Sequence, residues 1–477
     1  MKNLRIPTWL CSIWQRPLSP TEKLALFTDK HLMLPKASLI ICTIFVTYLL
    51  FIDRKQENKP PFSRWIPTLW LLLVFSKPLG VWFGVLGEDM QSGSPLDRKF
   101  LLFLFILSLT ILFRRKILWI KVFQYNFPLL CMILFMLFSI FWSDIFISSF
   151  KRWSREIIAI SMGLLIATEN NPFIAIQSIL RRMVYILIPF SFILIHYFAE
   201  YGREYARWSG ELMWIGAATQ KNGLGMICVT SVIFLIWDFN ANRKFYESNH
   251  KIFTLSNILV LIITFYLMGG PNHTLFYSVT SNIACIIGLL VIFTHVKLHR
   301  LPFTKQSVYF SIFISFVIIY GILVPFSGKL IGIDLSLILG RDESLTGRDE
   351  IWRRLIPYAT NHFFLGHGYG GFWTSEIREL TDAHAHNGYL DIVLNTGFLG
   401  LLLFWNFLMS CIKKSYIAIK NYNSYHLGIL SLTFIAILSF HNIAESSTVG
   451  INGKFISIVL FFSLLFDGRV KNKTANF

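Results

Sequence analysis

The sequence predicts an all-α, polytopic integral membrane protein of about twelve transmembrane helices with one large, partly helical extracytoplasmic loop. Three observations predict this. Of the 477 residues, 54% are hydrophobic and 16% aromatic, more apolar surface than one soluble core can bury. The apolar residues come as repeated long runs, the pattern of membrane-spanning helices. Basic pairs fall in the short connections between runs: Arg54-Lys55, Arg114-Arg115-Lys116, Arg181-Arg182, Arg243-Lys244 and Lys413-Lys414. Such loops are retained on the cytoplasmic side, so the formal net charge of +18 reads as a topology signal and implies no nucleic acid.

The runs lie near 37–52, 66–86, 100–113, 127–142, 156–168, 183–198, 222–237, 253–268, 275–294, 307–325, 392–411, 426–440 and 454–467. Only helices pair their own backbone groups over runs of this length in lipid. With basic connections inside, segments 87–99, 199–221, 269–274 and 326–391 fall outside, and the tail with Arg469, Lys471 and Lys473 falls inside. Thirteen crossings would then put the N-terminus outside, against the six Lys/Arg of residues 1–36, so one run is expected not to cross. Residues 1–477 read as one membrane domain. The six scattered cysteines show no metal spacing, and no removable signal peptide is evident.

The segment 326–391 is too polar for membrane and too rich in aromatics and glycine for disorder. In "GRDEIWRRLIPYA", Ile351, Trp352, Leu355 and Ile356 share one side of a helix, with Asp349 and Glu350 in its first turn. "FLGHGYGGFW" reads as a glycine-interrupted aromatic turn. Function is expected on this cap.

Its candidates are few. His386 stands where the loop meets an apolar helix. It reads either as a general base or as an interfacial residue binding the loop backbone. A metal site from His384, His386 and Asp391, with His362 or His367, rests only on a weak HxH pattern without HExxH or paired cysteines, and no metal is expected. Outside arginines run against the positive-inside bias and call for a counter-ion. Arg207, Arg341 and Arg348 could hold a diphosphate through their guanidinium forks, or pair with Asp342, Glu343, Asp349 and Glu350. Arg353, Arg354 and Arg378 read as partners of nearby acids. Lys221 and Asn222 open an apolar helix, where Asn222 fits a cap. His273, in "MGGPNHTLF", faces the site or is a turn residue. His441 and Glu445, in "SFHNIAESS", end another helix on the same face and read as structural or as lining a cavity, with the structural reading favoured.

"HNGYLDIVLNTGFLG" resembles the O-antigen ligase and polymerase superfamily, which includes exopolysaccharide polymerases. It is similar to that family's His-Asn, nine residues, Gly-x-x-Gly pattern, at His386-Asn387 and Gly397 to Gly400. "LTGRDEIW" and "LGHGYGGFW" resemble the family's preceding loop. "RWSG" at Arg207, followed by "QKN", resembles its first outer arginine segment. "FWSD", with Arg152 and Arg155 following, resembles its early Trp-Ser motif. One departure stands: "GGPNHT" carries His273 where many relatives have a basic residue after serine.

The resemblance implies a metal-independent, inverting glycosyl transfer, with no cofactor, on the periplasmic face of the bacterial inner membrane. The donor would be a polyprenyl (undecaprenyl) diphosphate-linked oligosaccharide and the acceptor a glycan or lipid A-core hydroxyl. His386 would serve as base, with Arg207, Arg348, Arg341, His273, Asn387 and Lys221 binding substrate. Polymerisation of surface-polysaccharide repeat units is the leading expectation. The alternatives are ligation to lipid A-core, protein O-oligosaccharyl transfer and, as a non-enzyme, transport. Membrane lipid and a chain-length regulator or flippase are the further partners implied.

Overall fold

Each long apolar run becomes a helix, but proline, glycine and charge redraw several of the expected boundaries. The computed structural model describes residues 35–55, 61–85, 94–206, 210–242, 251–272, 277–297, 303–327, 348–381, 384–421, 424–446, 450 and 452–465. In chain order its main helices are α1 Pro35–Lys55, α2 Trp65–Phe75, α3 Pro95–Arg114, α4 Trp119–Tyr125, α5 Phe127–Ser139, α6 Phe146–Ala167, α7 Pro172–Tyr197 and α8 Lys221–Ala241. Then follow α9 Lys251–Gly269, α10 Val279–Lys297, α11 Phe303–Ser327, α12 Arg348–Asn361, α13 Ser375–Leu380, α14 Gly388–Lys420, α15 Tyr425–Ala444 and α16 Lys454–Leu465. Between α7 and α8, β1 Arg203–Tyr205 pairs antiparallel with β2 Leu212–Trp214, Glu204 opposite Met213.

Six helices are long and apolar enough to span a membrane: α1, α7, α8, α11, α14 and α15. The pair α4–α5, bent by 88°, would make a seventh, and α2, α9, α10 and α16 contain shorter apolar stretches. The chain is therefore a nearly all-helical, multi-pass membrane protein. Six or seven of the dozen expected spans meet that length and hydropathy among the described residues. Helices α7 and α15 form the centre, each with 83% of its apolar window buried, whereas only 17% of the α1 window is covered.

Three boundaries moved for physical reasons. The run expected over 66–86 stops at Phe75, because Pro78 lacks a helix donor and disfavours helical backbone at Lys77. Lys77 instead reaches the carbonyls of Tyr201 and Gly216. Helix α6 starts ten residues before its apolar run, at Phe146, carrying Lys151, Arg152 and Arg155 on its polar end. Helix α7 starts at Pro172, so Arg181 and Arg182, expected in a connection, lie inside it. There they are buried against Asp53, each at 3.0 Å, with Arg181 also 2.8 Å from Asp238. Cations at that depth persist only when paired.

The polar contacts gather at two ends of the bundle. One end holds the Asp53–Arg181–Arg182–Asp238 network, Arg115 with Glu169, and Lys414 against Asn126 and Ser463. The opposite end holds the starts of α6, α8, α12, α14 and α16 and the close of α15, joined through Glu156, Glu445 and Asn387.

At this second end α14 is broken. Gly397 sits at φ 66°, and the loop carbonyls of Phe363 and Phe364 accept from Phe398 N (2.7 Å) and Leu399 N (3.2 Å), capping the continuing helix. A Cβ on Gly397 would lie 2.3 Å from the Phe364 backbone, and one on Gly366 2.6 Å from Gly397 N. The two chains cross main chain to main chain. Beside them α12 buries Trp352 and Leu355, the face the sequence assigned to the core.

Candidate active site

His386 occupies a backbone position that side chains rarely adopt, φ 50°. Three anchors hold it there. On its N-terminal side, Ala385 O accepts from Trp352 Nε1 at 2.8 Å, and Ala385 N approaches Asp391 Oδ1 at 3.4 Å. On its C-terminal side, buried Asn387 caps α14, its Oδ1 accepting from Tyr389 N (3.0 Å) and Leu390 N (2.9 Å). The same amide donates to Gly321 O at 2.8 Å and Ile443 O at 3.0 Å. Asp391 is braced in turn by Trp373 Nε1 at 3.0 Å. Strain of this kind, about 1–3 kcal/mol per residue, persists only where surrounding structure over-determines it.

The imidazole so placed faces Glu445. His386 Nδ1 lies 3.7 Å from Glu445 Oε2, an electrostatic contact longer than a hydrogen bond. Glu445 Oε1 accepts from Arg348 Nη2 at 2.8 Å and from Asn222 Nδ2 at 2.6 Å. Burial alone would push this carboxyl up, but His386, Arg348 and His441 outweigh it and hold Glu445 down at about 2. It is a carboxylate at any neutral pH. Lys454 acts on it too, its ammonium seated against Gly223, where an added Cβ would lie 2.9 Å from Nζ. Arg348 and Lys454 are thus two cations against one carboxylate. The remaining guanidinium nitrogens of Arg348 make no hydrogen bond among the described residues.

The structure brings together His386, Arg348 and Asn387 from the expected set. Arg348 pairs across the fold with Glu445; of the acids expected beside it, Glu350 pairs instead with Arg354, and Asp342, Glu343 and the Asp349 side chain lie outside the described residues. The Asn387 amide spends both hydrogens on backbone carbonyls, which leaves it no donor for a ligand. Lys221 opens α8, but the neighbour that reaches the carboxylate is Asn222. Asn222 is no cap: its side chain joins Glu445 to Ser278, whose hydroxyl donates to Asn222 Oδ1 at 3.2 Å. Arg207, Arg341 and His273 lie outside the described residues. His384 and His386 meet edge to face at 4.2 Å, and among the described residues no group of three or more His, Cys, Asp or Glu is placed to hold a metal. Sequence reasoning favoured a structural role for Glu445 over a place in the cavity. Its one signal was an acid closing an otherwise apolar helix beside a histidine.

Comparison with known proteins locates the same segment. A family model described as O-antigen ligase matches residues 274–405, which include Arg348, His386 and Asn387. The exopolysaccharide production protein ExoQ of Rhizobium meliloti is 34% identical over 85 residues, a stretch covering 15% of this chain and 20% of that protein. The chain therefore aligns with about a fifth of that relative's length. By these matches, residues 274–405 of the chain are similar to the O-antigen ligase family, and a shorter stretch is similar to an exopolysaccharide production protein.

Proposed function

We propose that the protein transfers glycan from a polyprenyl diphosphate-linked donor to an acceptor hydroxyl by a single inverting displacement, and that it polymerises repeat units of a surface polysaccharide. The observation that carries this is the Arg348–Glu445–His386 cluster inside a segment of ligase and polymerase type.

The chemistry follows from charge. Diphosphate is a good leaving group, so transfer needs a base for the acceptor and positive charge for the departing oxygens. Glu445 faces Nδ1 and favours a proton there, which leaves Nε2 of His386 to take the acceptor hydroxyl's proton. The acceptor oxygen then bonds to the anomeric carbon from the face opposite the diphosphate. The bond from that carbon to the phosphate oxygen breaks, and its electron pair leaves with the diphosphate. Arg348 supplies charge beside it, and Glu445 steadies the imidazolium as it forms. Asn387 and Asp391 act by fixing the His386 backbone. Arg207, Arg341, His273 and Lys221 remain proposed contacts to donor phosphates or sugars.

The placement of charge supports an outward-facing site on the bacterial inner membrane. Arg115, Arg181, Arg182 and Lys414 lie at the end opposite His386, and basic residues mark the cytoplasmic end. The same displacement with a lipid A-core hydroxyl as acceptor would be ligation.

The test is reconstitution of purified protein in lipid with a defined polyprenyl-diphosphate oligosaccharide, sizing the products. Growing chains support polymerisation. Transfer of a single unit to an added core acceptor, without growth, replaces it with ligation. No transfer from this donor overturns the reading.

A further inference from the structure

Buried and half-buried arginines in this fold are generally paired with acids. Arg64 and Arg115 meet Glu169, Arg181 and Arg182 meet Asp53 or Asp238, and Arg348 meets Glu445. Three half-buried arginines at the same end as His386 break the pattern. Arg152 and Arg155 lie one turn apart on α6, and Arg378 comes from α13. None has a carboxylate within 4.0 Å among the described residues. Arg152 lies within Coulombic reach of both others.

Two of the three grip one turn. Arg152 Nη1 donates to Gly370 O, and Arg378 Nε donates to Trp373 O at 3.2 Å. Gly370 has φ 69°, and a Cβ there would lie 2.7 Å from Arg152 Cδ, so the turn leaves room for the arginine to cross it. Arg155 makes no hydrogen bond within the described protein. The nearby acid, Glu156, is fully buried and accepts instead from Tyr369 Oη and Asn452 Nδ2. Asp144 is exposed and acts on His367. The three cations outnumber the one buried carboxylate, Glu156, and the neighbouring acids Asp144, Glu376 and Glu379 are exposed, so the half-buried charge here is net positive. Like charges held this close are unfavourable without a counter-ion.

We propose that Arg152, Arg155 and Arg378 form a phosphate-binding site, separate from the Arg348–His386 cluster, for a phosphomonoester or diphosphate at the membrane surface. A lone carboxylate would be satisfied by one guanidinium fork. A phosphate, with three or more oxygens and about two charges, matches three forks and the net charge here. The two clusters are built on different elements and partners: Arg152 on α6 and Arg378 on α13 hold the Gly370–Trp373 turn, with Arg155 beside them on α6, whereas Arg348 on α12 and His386 before α14 meet Glu445. Phe146, Ile147 and Phe150 are exposed at the start of the same helix, an apolar edge that suits a phosphate carried on lipid. On the polymerase reading both partners carry a diphosphate, and this site would hold the acceptor's. The binding itself does not rest on that reading.

The experiment titrates full-length protein in nanodiscs with inorganic pyrophosphate by calorimetry. In parallel, native mass spectrometry counts polyprenyl diphosphate bound from doped nanodiscs. Arg155→Gln is the main variant, because it removes no internal hydrogen bond. Arg152→Gln/Arg378→Gln is the second, and a melting scan checks that each folds. We expect two classes of site in the wild type, with Arg155→Gln weakening one of them roughly tenfold or more. Arg348→Gln should weaken the other class. Loss with both probes supports a site open to free phosphate; loss with the polyprenyl probe alone supports a lipid-borne one. Wild-type stoichiometry and affinity for both probes in folded Arg155→Gln and in the double variant overturn the proposal.

Discussion

His386 Nδ1 stands 3.7 Å from Glu445 Oε2, although the two residues come from different helix ends 59 positions apart. The same carboxylate holds Arg348 and Asn222, so one acid sets the position of both the imidazole and the guanidinium. Replacing a side chain with those dependants should disturb the imidazole and the guanidinium together.

Glu445→Gln keeps the shape and removes the charge. We expect transfer to fall roughly 10²-fold or more, comparable to losing an acid–base partner. Stability should drop by about 1–3 kcal/mol, because Arg348 loses a charged acceptor while keeping some solvent contact. Activity and melting of the purified variant test both; unchanged activity would remove Glu445 from the machinery.

The acid limb of stability carries the same signature. Glu445 is held at about 2, below its ordinary 4.5. Its stabilising contribution is therefore full above 4.5 and lost as pH falls from there through about 2. Melting temperatures across that window should fall in the wild type and fall less in Glu445→Gln. Parallel curves would contradict the assignment.

His386→Ala should lower transfer by about 10²–10⁴-fold while leaving donor binding near normal. Glutamine at 386, which cannot take the proton, should be equally inactive. Product formation by either variant at the wild-type rate would exclude this residue as base.

Gly397→Ala should unfold the site end. The new methyl would sit 2.3 Å from the Phe364 backbone at a φ of 66°, so strain and overlap act together. The expected loss exceeds ~2 kcal/mol, read as a lower melting temperature and poor membrane yield.

The parts of this structure visible in the sequence were those set by local periodicity. Trp352 and Leu355 announced the buried face of α12 through their spacing, and the apolar run after His386 announced α14, whereas the Asn387 cap that starts it emerged only in the structure. Glu445 and Asn222 stayed hidden because their roles arise across 223 positions of chain. Arg378 was misread for a different reason. Glu376 and Glu379 are its sequence neighbours, yet both are exposed, and Arg378 turns to the Trp373 carbonyl. The break at Gly397 was also unmarked, since "LNTGFLG" carries no proline and its bend depends on a loop 31 residues upstream at Gly366.

The crossing of Gly366 and Gly397 has no side chains in it. Mutation therefore has almost nothing to trim or enlarge at that seam, and either replacement drives one strand of backbone into the other. Substitutions that change the shape of this end without unfolding it are therefore expected in the flanking turns, with the crossing itself held fixed.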